Sequence, residues 1–282
     1  MRRGLRRSAA THDAMDLGLE GQVILLAGAS RGIGLATARA FAREGSRIAL
    51  MARDAAGLQA AAREVRDARR PAATAPDAAA GLDVLEVAGD ATRPEDAERA
   101  VRETIARFGR VDVLVTLVGG SRGAPGIEVP ESDWDAVLAA NLKAAATLTR
   151  LVVPSMRERG SGAIVHVASL FGREWGGAAS YMAAKAALIA YSKSCARELA
   201  PHGVRVNSVA PGSTLFPGGS WERRRRADPE GIAAFVAREM PLGRFGRPEE
   251  VAAAIVFLCS KPASLVIGAC LSVDGGQSRS LI

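Results

Sequence analysis

The stretch "LLAGASRGIGLATARAF", residues 25–41, decides how the chain folds. It starts as an apolar run of strand length, passes through Gly28, Gly32 and Gly34, and goes on with apolar residues at helical spacing. Glycines at a strand-to-helix turn let the backbone approach a pyrophosphate, and the helix N-terminus that follows favours its negative charge. The strand–turn–helix context separates a dinucleotide-binding turn from a chance glycine pattern. Ser30, Arg31 and Ile33 lie inside the turn and join the three glycines as candidate cofactor contacts. The same letters, Gly28-Ala29-Ser30-Arg31-Gly32, also match the G-x-S-x-G elbow of a serine hydrolase. That alternative needs a later histidine and acid, and the later histidines are His166, inside an apolar strand, and His202, in a turn. The dinucleotide turn is the preferred reading.

Outward from this stretch, apolar runs of strand length recur: 22–28, 47–52, 83–89, 111–119, 162–169, 204–210 and 270–276. Several are apolar almost throughout, which suits a sheet covered on both faces. Helical patterns lie between them. "PEDAERAVRETIARFG" (94–109) opens with proline and acids and closes on glycine, with Ala97, Val101, Ile105 and Phe108 as its apolar stripe. Alternating strand and helix predicts an α/β fold, a single Rossmann-type doubly wound parallel sheet of about seven strands with helices on both faces. No repeat or linker divides residues 15–282, so one domain is expected. The Ala/Pro-rich stretch 69–81 reads as a solvated loop extension. The irregular segment that follows the sixth strand emerges at the carboxyl edge of the sheet, where such folds bind ligands, and residues 213–240 are expected to form a substrate lid.

The 282 residues are 48% hydrophobic, yet no uninterrupted apolar run approaches the ~18 residues of a membrane span, so a soluble protein without a membrane partner is expected. The formal net charge is +7. Part of it sits in residues 1–14, where four arginines face one aspartate without an apolar segment behind them. This reads as a disordered basic tail, or as a start assigned too early with Met15 the true first residue; a short organelle transit segment is a third option. Arg223–Arg226 stands beside Glu222, Asp228 and Glu230 with few aromatics nearby, which reads as a solvated face and not a nucleic-acid patch. The three cysteines lack metal-ligand spacing and sit in apolar contexts, so a reduced cytoplasmic compartment and no metal site are expected.

The second strand ends in Ala52 and Arg53. An NAD site usually places an acid near the end of this strand to hold the ribose 2′-hydroxyl. Arg53 and Arg31 suit a 2′-phosphate instead, so NADP(H) is the preferred cofactor. Asp54 follows at once and keeps NAD(H) as the alternative.

"SYMAAKAALIAYSKS" (180–194) places Tyr181 four residues before Lys185. Together with "AGASRGIG" (27–34), "GDAT" (89–92), Asn141, Ser169 in "VHVASLFG", "VNSVAPG" (206–212), "PLGRFGRPEEVA" (241–252) and "SVDGG" (272–276), the order resembles the short-chain dehydrogenase/reductase family over nearly all of residues 20–278. The resemblance implies an NADP(H)-dependent oxidoreductase that interconverts a ketone and a secondary alcohol. By general texture it is nearest the 3-oxoacyl-acyl-carrier-protein reductase subgroup, with an NAD-dependent dehydrogenase of a steroid, sugar or small alcohol as the alternative. A non-catalytic dinucleotide-binding protein is the remaining rival.

On this pattern Tyr181 exchanges a proton with the substrate oxygen, Ser169 orients the carbonyl, Lys185 holds the nicotinamide ribose, and Asn141 holds a water that links Lys185 to solvent. Tyr181 and Lys185 share a helix face, and the ammonium is expected to draw the phenol's pKa down. Asp90 and Ala91 match the adenine contact, with a helix cap as the alternative role of Asp90. Gly119, Pro211 and Gly212 match positions beside the nicotinamide. Ser180 reads as a helix-start cap and Tyr191 as a packing residue. The chain departs from the pattern at "TLVG" (116–119), where "NNAG" is usual, and beyond "PG", where Phe216 fills the expected threonine slot and Thr214 is the nearest hydroxyl. A small-molecule carbonyl or alcohol substrate, free or linked to an acyl carrier, and a homotetramer or homodimer complete the expectations.

Overall fold

Val23–Ala27 (β1) carries five consecutive buried residues, as a strand covered on both faces requires. The computed structural model describes residues 15–68, 83–122 and 127–281; the basic segment 1–14 and the stretch 69–81 lie outside them. From β1 the chain runs through α1 (Gly32–Arg43), β2 (Arg47–Ala52), α2 (Ala55–Asp67), β3 (Val84–Ala88), α3 (Pro94–Phe108) and β4 (Val113–Thr116). It continues with α4 (Glu131–Leu138), a π-helical turn Ala139–Lys143, α5 (Ala144–Arg159), β5 (Gly162–Val167), α6 (Ala179–Leu199) and β6 (Val204–Pro211). Two short helices, α7 (Ser220–Ala227) and α8 (Pro229–Glu239), precede α9 (Pro248–Cys259) and β7 (Cys270–Val273).

The seven strands form one parallel sheet in the order β3-β2-β1-β4-β5-β6-β7. The expected doubly wound sheet is therefore present, and its strand order reverses between β1 and β4. Strand alternation sorts the core into two layers. Ile24 and Leu26 pack with Phe41 of α1 and Ile255 of α9, whereas Val23 and Leu25 pack with Phe108 of α3 and Met156 of α5.

Three details differ from the sequence reading. Ile105 of α3 is 36% exposed, and the buried stripe runs through Ala97, Ala100, Val101, Thr104 and Phe108 instead. The run 111–119 is strand only over Val113–Thr116, because Leu117 turns to back the glycine loop: a Cβ on Gly28 would stand 2.9 Å from its carbonyl carbon. The helix spanning Glu131–Arg159 is the one among the described residues long and apolar enough to cross a membrane. Its interrupting charges hid it from a search for unbroken apolar runs. Here Leu148, Val152 and Met156 are spent against the sheet.

Candidate active site

The site grows from the carboxyl ends of β1 and β4, where the sheet's order reverses and a crevice opens. Gly28 has φ +92° and donates its N–H to the Met51 carbonyl at 2.8 Å. A Cβ on Gly34 would overlap the Gly28 carbonyl, so the helix and the turn meet at backbone contact. Arg31 is the N-cap of α1 and lends it no side-chain bond, which leaves the first helical N–H groups without a side-chain acceptor. A bare helix start behind a turn that admits no side chain fits a pyrophosphate.

Beside the turn lies a cleft of about 390 Å³. Gly28, Ser30, Arg31, Arg53, Asp90, Ala91 and Gly119, all expected from sequence, line it. Its wall also includes Ala52, Leu117 and Val118, which the sequence marks only as departures from the expected pattern, and Met51 and Ala140, ordinary apolar positions that the topology brings to one edge. The Arg53 side chain is 77% exposed and stands 3.9 Å from Asp90. Asp54 also lines the cleft, and its carboxylate accepts the Ala56 N–H at 3.2 Å as the cap of α2. Asp90 caps no helix: its carboxylate accepts from the Thr92 N–H and hydroxyl, and the N-cap of α3 is Arg93.

Ser169 ends the strand-to-turn passage after β5, and its hydroxyl accepts the Phe171 N–H at 3.2 Å. Tyr181 and Lys185 project from α6. The Lys185 ammonium lies 5.7 Å from the centre of the Tyr181 ring and donates to the Val167 carbonyl at 2.8 Å. Lys185 is only 4% exposed. Burial pulls its pKa down to about 7. The Tyr181 phenol moves the other way: burial raises its pKa, and the hydrogen bond with Ser169 draws it partly back. Against expectation, Lys185 is not among the groups that draw the phenol down, since its ammonium faces a backbone carbonyl.

Asn141 sits in the π-helical turn, a distortion frequent at functional sites. Its amide donates to the carbonyls of Gly120 at 3.0 Å and Val137 at 2.9 Å, and its oxygen accepts the Gly120 N–H at 3.1 Å. Gly119 joins the two halves of the site. It lines the cleft, and a Cβ placed on it would overlap the Asn141 side-chain oxygen and stand 3.3 Å from the Lys185 nitrogen.

The remaining expected contacts do not reach the cleft wall. Gly32 is covered by the Phe216 ring, 2.7 Å from where its Cβ would stand. Pro211 ends β6, Gly212 packs on Asp274, and Thr214 is buried with its hydroxyl turned back to the Gly212 carbonyl at 3.1 Å. Ser180 is not a cap either: the helix begins from Ala178, and the Ser180 hydroxyl is buried without a partner. The departure at 116–119 keeps a polar tie across the sheet, since Thr116 hydrogen-bonds His166 on β5 at 2.9 Å.

A parallel sheet with a glycine turn at its point of reversal, and a tyrosine–lysine pair on one helix whose buried lysine lies one glycine from the cleft, is the layout of a nucleotide-dependent oxidoreductase. Residues 28–278 match the family model described as enoyl-(acyl carrier protein) reductase. The chain is 37% identical to the 3-oxoacyl-acyl-carrier-protein reductase FabG of Thermotoga maritima, over 92% of this chain and 98% of that one. It is also 37% identical to D-threitol dehydrogenase of Mycolicibacterium smegmatis, over 93% and 95%. Among solved structures, L-sorbose reductase from Gluconobacter frateurii, complexed with NADPH and L-sorbose, superposes with a TM-score of 0.85 at 34% identity, covering 95% of this chain and all of that one. The protein belongs to the short-chain dehydrogenase/reductase family, and it is an NAD(P)-dependent oxidoreductase.

Proposed function

We propose that the protein is an NADP(H)-dependent reductase that interconverts a ketone and a secondary alcohol, with Tyr181 as the proton donor. The observation that carries this is the position of Gly119, in the wall of the cleft and against both Asn141 and Lys185. It brings Lys185, on the same helix as Tyr181, next to the wall of the cleft, which supports this reading. The nicotinamide cofactor, when bound, supplies or accepts the hydride. Gly28, Gly32, Ile33 and Gly34 of the turn hold the pyrophosphate, Asp90 and Ala91 hold the adenine end, and Arg31 and Arg53 hold a 2′-phosphate. Pro211, Gly212 and Thr214 border the nicotinamide end from β6, with Thr214 acting through the backbone it braces.

Ser169 positions the substrate carbonyl oxygen beside the phenol. Tyr181 gives its phenolic proton to the carbonyl oxygen as that oxygen gains negative charge. Lys185 stabilises the phenolate left behind, and Asn141 orders the route by which the proton is replaced. The substrate is a small ketone: a 3-oxoacyl compound, as the FabG relative's name suggests, or a sugar or polyol, as the threitol and sorbose enzymes suggest. Residues 213–240, which include α7 and α8, serve as its lid.

A screen of 3-oxoacyl thioesters, keto sugars and simple ketones with NADPH and NADH tests the proposal. Consumption of reduced cofactor is expected with NADPH favoured, and Arg53→Ala should narrow that preference. Binding of NADPH without turnover of any ketone would point to a non-catalytic nucleotide-binding protein. Ester hydrolysis abolished by Ser30→Ala would point to the hydrolase elbow.

A further inference from the structure

We propose that Thr116 and His166 form a positioning pair that sets Lys185 for proton transfer, a reading that rests on the reductase function proposed above. The two residues are register partners on β4 and β5, 50 positions apart in the chain, and both are buried. The residue after His166 is Val167, whose carbonyl receives the Lys185 ammonium at 2.8 Å. The cross-strand bond therefore pins the peptide that anchors the lysine.

Packing alone does not explain an imidazole here. A buried polar ring is costly unless its atoms are bonded, and His166 Nε2 is buried without a partner. The side chain lies in a small polar seam within an apolar layer. Tyr191 of α6 stands 5.8 Å from the His166 ring, and Cys195 and Thr149 of α5 act on its phenol. Lys185 acts on His166 directly: after burial, its charge is the second cause of the histidine's low pKa, about 3.

The groups that face this pair set its charge. Tyr191 of α6 faces the His166 ring and Thr116 of β4 bonds it, while Tyr181 of α6 and Asn141 of the π-helical turn flank Lys185. None is a carboxylate. Glu198 acts only on Tyr191 and Cys195, and Arg157 pairs with it. Two nitrogens that can each take a proton thus lie close together, with no carboxylate among the groups acting on either. A neutral imidazole, bonded through Thr116, leaves the single positive charge to Lys185.

The test reads Lys185 itself. The chain has four lysines, Lys143, Lys185, Lys193 and Lys261, so ¹³C-labelled lysine gives a simple NMR titration of the full chain without cofactor. Lys185→Met assigns the signal. Thr116→Val and His166→Leu are expected to move the Lys185 midpoint by about half a pH unit or more, a shift well within the range protein environments impose. In the same variants kcat should fall about tenfold, a modest share of an acid–base contribution, with NADPH affinity little changed. His166→Asn, which can still bond Thr116, should restore both values part of the way, and it carries the test if Thr116→Val does not fold. The proposal is overturned if the folded variants keep the wild-type midpoint and kcat and lose only thermal stability. If the wild type turns over no ketone, the functional reading fails alone, and the titration still decides whether the pair governs Lys185.

Discussion

Lys185 is a charge placed where the fold would rather have none. Its folded pKa of about 7 lies below the unfolded 10.5, so this residue's stability contribution is full only above the unfolded value and is lost as pH falls toward 7. Lys185→Met should raise stability near pH 7 by about 2 kcal/mol, the desolvation relieved less the lost bond to Val167. The gap should close as pH approaches 10, which denaturant titrations at several pH values would read. His166 has the same sign at lower pH. Its pKa falls from 6.5 to about 3 on folding, so stability present above 6.5 drains away as pH falls. Relative to His166→Asn, the wild type should lose roughly 3 kcal/mol between about pH 7 and pH 4, measurable by the same titrations. Equal pH slopes in the two proteins would contradict this. Tyr181, Lys185, Ser169 and Asn141 were legible from spacing and motif order. The direction of the tyrosine's pKa was not, because it depends on burial that spacing does not encode. The Thr116–His166 bond was equally hidden, since residues 50 apart acquire a relation only from strand register.

At the scale of elements, β1 and α1 were readable because their apolar patterns and glycines act locally. Gly34 is the sharpest case, since a Cβ on it would overlap the Gly28 carbonyl. Gly34→Ala should weaken NADPH binding at least tenfold and lower stability by about 1–3 kcal/mol, the usual effect of overpacking a tight contact. Fluorescence titration with NADPH and a thermal melt would check both, and unchanged binding would show that the turn tolerates a side chain. The helices α7 and α8 escaped the sequence reading. Their arginine run, prolines and glycines look irregular, and what orders them is tertiary: Trp221 stacks on Phe235 at 4.8 Å and meets Phe245 at 5.1 Å. The same segment touches the glycine turn, through the Phe216 ring on Gly32 and the Arg31 bond to the Gly218 carbonyl at 3.3 Å. The end of β4 was overread for a related reason: an apolar run does not reveal where a strand must bend to support a neighbouring turn.

For the whole molecule, alternation of strand and helix was enough to give the sheet, and the order of motifs was enough to give the family. Assembly was less legible, because it depends on surfaces. β7 ends the sheet as an edge strand with Leu271 exposed, and edges of this kind call for cover. Sedimentation should find a dimer or tetramer; a monomer at micromolar concentration would contradict that expectation. The central claim is that Tyr181 delivers a proton beside a nucleotide held by the glycine turn. The most direct measurement compares wild type with Tyr181→Phe, on the best ketone from the screen with NADPH, together with NADPH affinity. The account predicts unchanged affinity and a fall in kcat of about 10²-fold or more, as general acid–base groups usually contribute. A Tyr181→Phe protein that turns over at nearly the wild-type rate would contradict it.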